Sequence, residues 1–292
     1  MLRRKDKIAG YVYMLPALLM VTCLLTLPMI YNVYLSFFKW DGLKPKKFVA
    51  FNNYLKFIKD PIFLKSFANT IVWVAFTILV VVTSALLLAV FIKNVPGEGF
   101  FKSVFFLPLA ISFVSTGSIW IYMYGSEYGV INDLLMILGA KEKTSWLYEV
   151  PLNTISMLFA SLWQGLGSSL VLYLMGLTQL PKEPLEAAAI DGANSWQTFT
   201  RITFPMLKPT HTIVMGMAIV NSFKTFDLIY VMTNGGPART SETLAVTMYM
   251  ETFSKQKMGY GAAISVFLSL IILPIATVYI RRMIYTDAYS SK

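Results

Sequence analysis

Hydrophobic residues along the chain form long uninterrupted runs separated by polar segments, unlike the short alternating patterns of a soluble protein. At about 1.5 Å of rise per residue, each run is long enough to cross a hydrocarbon core of about 30 Å as a helix. The pattern therefore predicts an all-α polytopic membrane protein with six transmembrane helices. The predicted spans lie at about 11–38, 67–92, 101–124, 150–178, 209–231 and 261–283.

The two ends of the chain are short and polar: residues 1–10 hold four basic side chains, and residues 284–292 form a polar tail. The first apolar run is too long for a signal peptide and lacks a small-residue cleavage site, so we interpret it as an uncleaved helix. Six spans place both ends on one side of the membrane. Lys and Arg number 12 in the segments on either side, so their count does not choose between the sides, whereas Arg alone favours cytoplasmic ends.

The composition excludes several classes of protein. Hydrophobic residues make up 56% of the chain and charged residues 14%, whereas a soluble domain carries about a quarter charged residues. The net charge of +10 does not indicate nucleic-acid binding, because the basic residues flank the apolar runs. A single Cys23 and a single His211 predict no intrachain disulfide and no His-based metal cluster. No GxxxxGK[ST] loop occurs, so we expect no P-loop ATP site in this chain.

The polar segment over 179–208, between the fourth and fifth spans, is longer than a simple connector needs to be. Its composition favours a helix over 183–190 that Gly192 ends. A second short helix is predicted over 195–203, with Ser195 as its N-cap and Pro205 beyond its end. Such a helical knob on the membrane surface is a candidate docking site for a soluble partner. The alternative is an ordinary amphipathic loop helix.

Polar side chains interrupt the fourth and fifth spans, where a centred Lys or Asp costs about 2.5–3.5 kcal/mol. We interpret these residues as lining a water-filled pathway for a neutral polyhydroxy solute, with Trp163, Tyr173 and Phe226 as aromatic faces. The candidate substrate-binding residues are Gln164, Gly165, Ser168, Ser169, Asn221, Lys224, Thr225 and Asp227. Two alternatives are a structural ion pair between Lys224 and Asp227, which are three residues apart, and helix packing through the glycines.

Several motifs together resemble a known family. Glu186-Ala187-Ala188, Gly192, Ile202 and Pro205 have the spacing of the "EAA" loop in permease subunits of binding-protein-dependent ABC importers, with Phe204 where Leu is usual. The segment from Phe226-Asp227 to Asn234-Gly235-Gly236-Pro237 is similar to the fifth-span ending of carbohydrate-importer permeases of the maltose and glycerol-3-phosphate type. Phe51-Asn52-Asn53-Tyr54 and Phe105-Phe106-Leu107-Pro108 resemble the same group.

The resemblance implies a type I ABC importer permease fold in the cell membrane, with both termini cytoplasmic. It implies a second homologous permease subunit, two ABC ATPase subunits that bind ATP and Mg, an extracytoplasmic solute-binding protein and a sugar substrate. It implies no cofactor or enzymatic activity in this chain, and sugar contacts near 164–169 and at Lys224 and Thr225. The residues 179–208 become a cytoplasmic coupling loop, whose ATPase-coupling residues are Glu186, Ala187, Ala188, Asp191, Gly192, Ile202 and Pro205.

Other functions stay open at this point. Lys224 would also suit an acidic sugar or a sugar phosphate. A secondary transporter needs an ion relay within the membrane, for which the spans offer Lys224 and Asp227. A membrane-embedded enzyme needs a catalytic cluster, and one His and one Cys on different spans do not form one.

Overall fold

The computed structural model describes residues 4–93 and 95–290, and the side chains of 12–93 and 95–281. The ends of the predicted terminal segments, residues 1–3 and 291–292, and Asn94 in the turn after the second span lie outside the described residues. The chain divides into two compact units. The first runs up to Pro61 and resumes over Thr247–Ser269, and the second comprises Ile62–Val246 and the residues from Leu270 onward.

The described chain is helical apart from one short hairpin and its loops. Strands β1 (Phe38–Lys39) and β2 (Lys47–Phe48) pair antiparallel, with Phe38 opposite Phe48. The helices are α1 Arg4–Val21, α2 Leu27–Ser36, α3 Asn52–Leu55, α4 Pro61–Phe76, α5 Thr83–Ile92, α6 Glu98–Phe106, α7 Phe113–Met123, α8 Val130–Ile137, α9 Leu152–Thr178, α10 Glu183–Ile190, α11 Ser195–Thr198, α12 Phe204–Met206, α13 Lys208–Phe223, α14 Asp227–Thr233, α15 Leu244–Tyr249 and α16 Met258–Ser290.

Within the described residues, four helical runs are long and apolar enough to cross a membrane: Val12–Ser36, Pro61–Ile92, Leu152–Thr178 and Met258–Arg281. Two bent pairs pass the same test jointly. Glu98–Ala110 meets Phe113–Met123 at 100°, and Lys208–Phe223 meets Asp227–Thr233 at 42°. Counting each bent pair as one crossing gives six, so the exact number of spans stays a prediction.

The third predicted span, at about 101–124, is divided into two helices, because the chain turns sharply near Pro108. α6 passes into a 3₁₀ turn over Leu107–Ala110, and Ile111 is extended, with φ −94° and ψ 137°. Ser112 then caps α7 by accepting a hydrogen bond from the Ser115 N–H at 3.2 Å. Proline has no N–H to donate and its ring disfavours a regular helix, so two helices replace one.

In the first unit, α1 and α2 continue into one another through a π turn over Thr22–Thr26. The turn lies where Pro28 has no N–H for the carbonyl four residues earlier. Other described residues cover almost none of this apolar run, and Cys23 on it is exposed. The face it presents is therefore available to lipid or to another chain.

The segment 51–54, which contains the start of α3, contacts the end of α2 in the same unit. Asn53 Nδ2 donates hydrogen bonds to the Ser36 and Phe38 carbonyls at 2.7 and 3.0 Å. The Tyr54 hydroxyl lies 2.6 Å from Ser36 Oγ. The bond to Ser36 satisfies the last carbonyl of α2, which has no partner within the helix.

The Lys-rich loop after the first span places a cation among aromatic rings. Lys46 Nζ lies 4.9, 5.4 and 5.0 Å from the ring centroids of Tyr31, Tyr34 and Trp40. Such cation–π contacts stabilise a lysine near apolar surface, and aromatic rings of this kind are typical of the membrane interface. The loop's basic residues therefore contribute to packing, which a count of charges does not reveal.

α5 and α9 form the centre of the core in the second unit. Their buried residues recur every three or four positions, so each helix presents one apolar face. Ala85 and Ala89 are fully buried, and their small side chains allow the helices to approach closely. The core residues are Val82, Ala85, Leu86, Ala89, Ile92, Leu170, Tyr173, Leu174, Leu177, Leu207 and Val214.

The segment after α14 is held in place by side-chain amides of α4 and α9. Asn69 Nδ2 donates to the carbonyls of Thr240 and Glu242 at 2.7 and 2.9 Å, and Asn153 Nδ2 donates to the Gly236 carbonyl at 3.0 Å. Buried carbonyls without partners would destabilise the fold. Within the segment Arg239 and Glu242 form an ion pair, with Nη2 and Oε2 2.8 Å apart and the Glu242 side chain fully buried.

We expect Arg239→Ala to destabilise the protein strongly, because the buried Glu242 carboxylate would lose the Arg239 guanidinium that lies against it. Breaking a buried ion pair from one side costs about 3–5 kcal/mol. Lys102→Ala is the matched control, because its pair with Glu98 is a partly exposed i,i+4 pair, worth about 0.3–0.5 kcal/mol. Thermal unfolding of the detergent-solubilised protein measures both effects. Equal midpoints for the two variants would contradict the structural role of Arg239.

Candidate functional site

The fifth predicted span is interrupted in its last third, which frees backbone polar groups within the second unit. α13 ends at Phe223 and α14 begins at Asp227. Between them Phe226 has φ −132° and ψ −59°, outside the helical region. The Thr243 hydroxyl donates a hydrogen bond to the freed Thr225 carbonyl at 2.8 Å. In a membrane protein, irregular backbone is tolerated where protein groups or a water-filled cavity satisfy it.

α9 supplies a second wall beside this interruption. The Gln164 amide is almost fully buried, and its Nε2 donates to the Ile111 carbonyl at 2.8 Å. One turn later Ser168 Oγ donates to the Gly165 carbonyl at 3.0 Å. A Cβ at Gly165 would meet the Val81 side chain at 3.8 Å, an ordinary van der Waals distance. A methyl group would therefore fit at Gly165, which is not pressed against a neighbouring backbone.

The two walls enclose a cavity of about 410 Å³, within the range of small-molecule sites. The structure brings all eight predicted substrate-binding residues to this one cavity, although residues 179–208, the docking segment, separate the two groups in the chain. Those lining residues are Gln164, Gly165, Ser168, Ser169, Asn221, Lys224, Thr225 and Asp227. Their role in binding stays a prediction.

Other lining residues were not predicted. Trp73 and Thr77 reach the cavity from the second predicted span, and Phe113 and Ser161 from α7 and α9. Trp73 is 1% exposed, and its Nε1 has no hydrogen-bond partner among the described residues. A Trp and a Thr four residues apart share one helical face. Because both residue types are common in membrane helices, that spacing was too weak a signal to single them out.

Lys224 and Asp227 do not form the ion pair that their spacing suggested. The helix is interrupted between them, so the i,i+3 geometry of a continuous helix does not apply. Both side chains are exposed, both line the cavity, and no ion pair joins them in the described part of the chain. The structure thus favours cavity-facing charges over a structural pair.

Of the three aromatic residues expected to face the solute, Phe226 lines the cavity and stacks on Tyr230 with ring centroids 5.1 Å apart. The other two are engaged elsewhere. Trp163 packs against Trp120. Tyr173 is buried in the core with its hydroxyl 2.6 Å from His211 Nδ1. Residues on one helix point in different directions, and a sequence alone does not fix which of them faces the solute.

Gly167 has the packing role that was the alternative for the glycines. A Cβ at this position would collide with the Phe105 carbonyl at the end of α6. The backbone of α9 therefore runs directly against the turn at Pro108, which also holds the Ile111 carbonyl that Gln164 binds. Gly165 and Gly167 consequently serve different purposes, one toward the cavity and one toward a neighbouring backbone.

The docking segment begins with α10, which spans the predicted residues 183–190. Gly192 has φ +75°, its N–H bonds the Ala189 carbonyl at 3.2 Å, and the Ala193 N–H bonds the Ala188 carbonyl at 2.9 Å. This pair of bonds is the Schellman motif, which ends a helix with a residue in the left-handed region. The prediction that Gly192 ends this helix is confirmed.

The second helix of the docking segment differs from the prediction at both ends. Its N-cap is Asn194, not Ser195, because the Asn194 side chain accepts from the Gln197 N–H at 2.8 Å and Gln197 Oε1 accepts from the Asn194 N–H at 3.0 Å. This reciprocal pair is a capping box. The helix also continues past Pro205, because a π turn over Phe199–Thr203 leads into α12.

Most predicted coupling residues lie on the surface of this segment. Glu186, Ala187, Asp191, Gly192 and Pro205 are exposed, Ile202 is half-buried and Ala188 is buried. Two large apolar side chains nearby are also uncovered: Ile190 is 87% exposed and Trp196 is 69% exposed. An exposed apolar patch with a polar rim is typical of a protein-binding surface.

Lys93 connects the start of the docking segment to α5. Its Nζ donates a hydrogen bond to the Leu177 carbonyl, in the last turn of α9. Burial lowers the pKa of the Lys93 ammonium below its ordinary value, with Lys182 adding to the decrease and Glu98 opposing it. A cation at a helix C-terminus is favourable for the helix dipole and for carbonyls without partners. The last turn of α9 is thereby fixed to the second predicted span.

Among the described residues, no group of His, Cys, Asp and Glu side chains has the arrangement of a metal site. The polar groups of the cavity-lining residues are hydroxyls, amides, the Trp73 indole N–H, one ammonium and one carboxylate. Such groups bind and orient a solute through hydrogen bonds.

The sequence matches the family described as "Binding-protein-dependent transport system inner membrane component" over residues 11–284. A probable ABC transporter permease protein of Pyrococcus horikoshii is 36% identical, covering 92% of this chain and 93% of its own. The arabinooligosaccharides transport system permease protein of Bacillus subtilis is 31% identical, covering 94% of this chain and 88% of its own.

The fold is similar to a chain in the crystal structure of a bacterial ABC transporter involved in the import of the acidic polysaccharide alginate. The TM-score is 0.83 at 21% sequence identity, covering 96% of each chain. At this identity the likeness establishes the fold.

The cavity should be reachable by water-soluble reagents if it lines a pathway. In a Cys23→Ser background we expect Asn221→Cys to react with a charged methanethiosulfonate, because Asn221 is exposed and lines the cavity. Ala85→Cys is the control, because Ala85 is fully buried in the α5–α9 core and should stay unlabelled. Adding Thr225→Trp should slow labelling at position 221 by filling the cavity. Failure of Asn221→Cys to react in the folded protein would refute the pathway interpretation.

Proposed function

The chain belongs to the family of binding-protein-dependent transport system inner membrane components, and from that premise we propose that it forms part of the pathway by which an ABC importer takes up a sugar or oligosaccharide. The relative that transports arabinooligosaccharides, by its name, supports the substrate class. In this proposal the binding protein and a second permease subunit share with this chain the selection of the particular sugar.

The lining of the cavity is the observation that carries this proposal. Its polar groups are hydroxyls and amides, together with Lys224 and Asp227, whose formal charges cancel. A sugar hydroxyl both donates and accepts hydrogen bonds, so it matches a wall of Ser, Thr, Asn and Gln side chains. An ionic solute would instead require a net opposite charge, as in charge-assisted recognition.

The proposed complex contains this chain, a second homologous permease subunit, two ABC ATPase subunits and an extracytoplasmic binding protein. The exposed apolar and acidic surface of the docking segment supports contact with the ATPase on the cytoplasmic side. Both termini are then cytoplasmic, because an even number of proposed spans separates each terminus from the docking segment. The Arg residues at the termini agree with this orientation.

Transport in this proposal is a change of access around the cavity. ATP-driven closure of the ATPase subunits moves α10 and the helix after it, and the membrane helices then rock between outward-open and inward-open arrangements. No bond of the solute is made or broken in this chain. ATP and Mg are bound by the partner subunits, and this chain carries no cofactor and no enzymatic activity of its own.

Lys224 favours a second candidate, an acidic sugar. Its ammonium is exposed at the cavity and has no ion-pair partner among the described residues, so it could bind a carboxylate. This candidate would be selected if the wild-type complex takes up an acidic oligosaccharide but no neutral sugar. The Lys224→Gln complex should then lose uptake of the acidic oligosaccharide.

The complex reconstituted with its partners in proteoliposomes should take up at least one of maltose, maltotriose, arabinotriose and raffinose in an ATP-dependent manner. Thr225→Trp should abolish that uptake by filling the cavity while leaving assembly unchanged. Leu270→Trp is the control for a larger side chain, because Leu270 is 62% exposed and lies outside the cavity wall. Scintillation counting of labelled sugars measures uptake, and glutamine serves as a solute of another class.

Uptake of glutamine in place of every sugar would overturn the substrate class. Uptake that persists in the absence of any ATPase would overturn the importer mechanism. Full uptake by Thr225→Trp in an assembled complex would place the solute pathway elsewhere.

Gly192→Asp should release the ATPase subunits. Gly192 has φ +75°, which a non-glycine residue adopts at a cost of about 1–2 kcal/mol, and the new carboxylate would lie within the exposed docking surface. Gly139→Asp is the matched control, because Gly139 has φ +99°, is equally free of neighbours within 4 Å and lies outside the docking segment. Affinity co-purification with quantitative immunoblotting should show loss of the ATPase for Gly192→Asp alone. Equal retention in both variants would refute this docking site.

A further inference from the structure

Two buried polar atoms of residues that line the cavity lack hydrogen-bond partners among the described residues. Trp73 Nε1 is a donor and Gln164 Oε1 is an acceptor, and their side chains are 1% and 2% exposed. Both residues line the cavity. Buried polar groups are nearly always hydrogen-bonded, and one left unpaired destabilises the folded state. Two such groups of opposite hydrogen-bonding character at one cavity therefore require an explanation.

The two atoms belong to side chains that are held in place. Gln164 uses its Nε2 for the Ile111 carbonyl at 2.8 Å, so its amide is oriented and its oxygen is fixed as the unpaired end. Trp73 lies one helical turn before Thr77, whose Oγ1 donates to the Trp73 carbonyl at 2.9 Å. A large aromatic side chain with almost no exposure has little freedom to turn its N–H toward another partner.

We propose that Trp73 is a solute-binding residue, whose indole N–H donates a hydrogen bond to a sugar hydroxyl while Gln164 Oε1 accepts one. A hydroxyl group suits both atoms because it is an acceptor and a donor at once. An ammonium would leave the indole N–H unpaired, and a carboxylate would leave the amide oxygen unpaired. The assignment rests on the proposed function and deepens it, because it names two side chains that would recognise a hydroxyl group of the solute.

A second tryptophan of this chain provides a matched control. Trp120 Nε1 is also buried without a partner among the described residues, but its ring packs against Tyr124 and Trp163 and lies outside the cavity wall. Trp73→Phe and Trp120→Phe therefore remove the same chemical group and the same ring volume. Only the first variant removes it from the cavity.

The test uses the reconstituted full complex and the panel of maltose, maltotriose, arabinotriose and raffinose, at saturating binding protein. We expect Trp73→Phe to lower the sugar taken up per ATP hydrolysed by about three- to tenfold, the effect of losing one hydrogen bond to a neutral group. Trp120→Phe should leave this ratio within about twofold of wild type. A purely structural role for Trp73 would change uptake and ATP hydrolysis together and leave the ratio unchanged.

Benzothienylalanine placed at position 73 provides a second variant, because sulfur replaces the N–H and the bicyclic shape is retained. It should reproduce the loss even if Trp73→Phe fails to fold. If this variant takes up sugar with the wild-type ratio of sugar to ATP hydrolysed, the assignment of Trp73 is overturned and the proposed function is not affected. Absence of uptake of every panel sugar by the wild-type complex would overturn the proposed substrate class and this assignment with it.

Discussion

The structure depends on one constraint, that every backbone N–H and C=O within the membrane must find a hydrogen-bond partner. A helix meets this requirement internally, and the fifth predicted span does not, because it is interrupted between Phe223 and Asp227. Thr243 bonds one of the freed carbonyls, and the cavity borders the remainder of the interruption. The interruption supplies backbone polar groups beside the cavity, and the cavity in turn makes an interrupted helix tolerable within the membrane.

The sequence predicted the fold class, the approximate apolar runs and eight of the residues that line the cavity, because intramembrane polar groups are costly and persist mainly where a cavity or partner uses them. Gln164 and Asn221 were found for this reason. Trp73 was missed because an aromatic residue in an apolar run carries no such cost. The turn at Pro108 and the interruption before Asp227 depend on tertiary contacts, so their angles could not be derived from hydropathy.

In the docking segment, the prediction of a helix end was correct where one residue decides the backbone conformation. It was wrong where two residues compete for the same role. Gly192 ends α10 because glycine readily adopts the left-handed region. Ser195 and Asn194 are both good N-caps, and the reciprocal bonds with Gln197 select Asn194. Pro205 was expected to end the helix, but the π turn before it relieves the clash that a regular helix would impose.

The contact between Gly167 and the Phe105 carbonyl has a mechanical consequence. Because Gly167 has no side chain, the backbones of α9 and of the end of α6 are already in close contact. α9 cannot slide along its axis or rotate toward α6 without a collision between these two backbones. The Gln164 amide also donates a hydrogen bond to the Ile111 carbonyl, which lies beyond the same turn. We therefore expect α9 and the turn at Pro108 to move together as one rigid unit. Any rearrangement that opens the cavity then has to move other elements of its lining, among which is the fifth span with its interruption between Phe223 and Asp227.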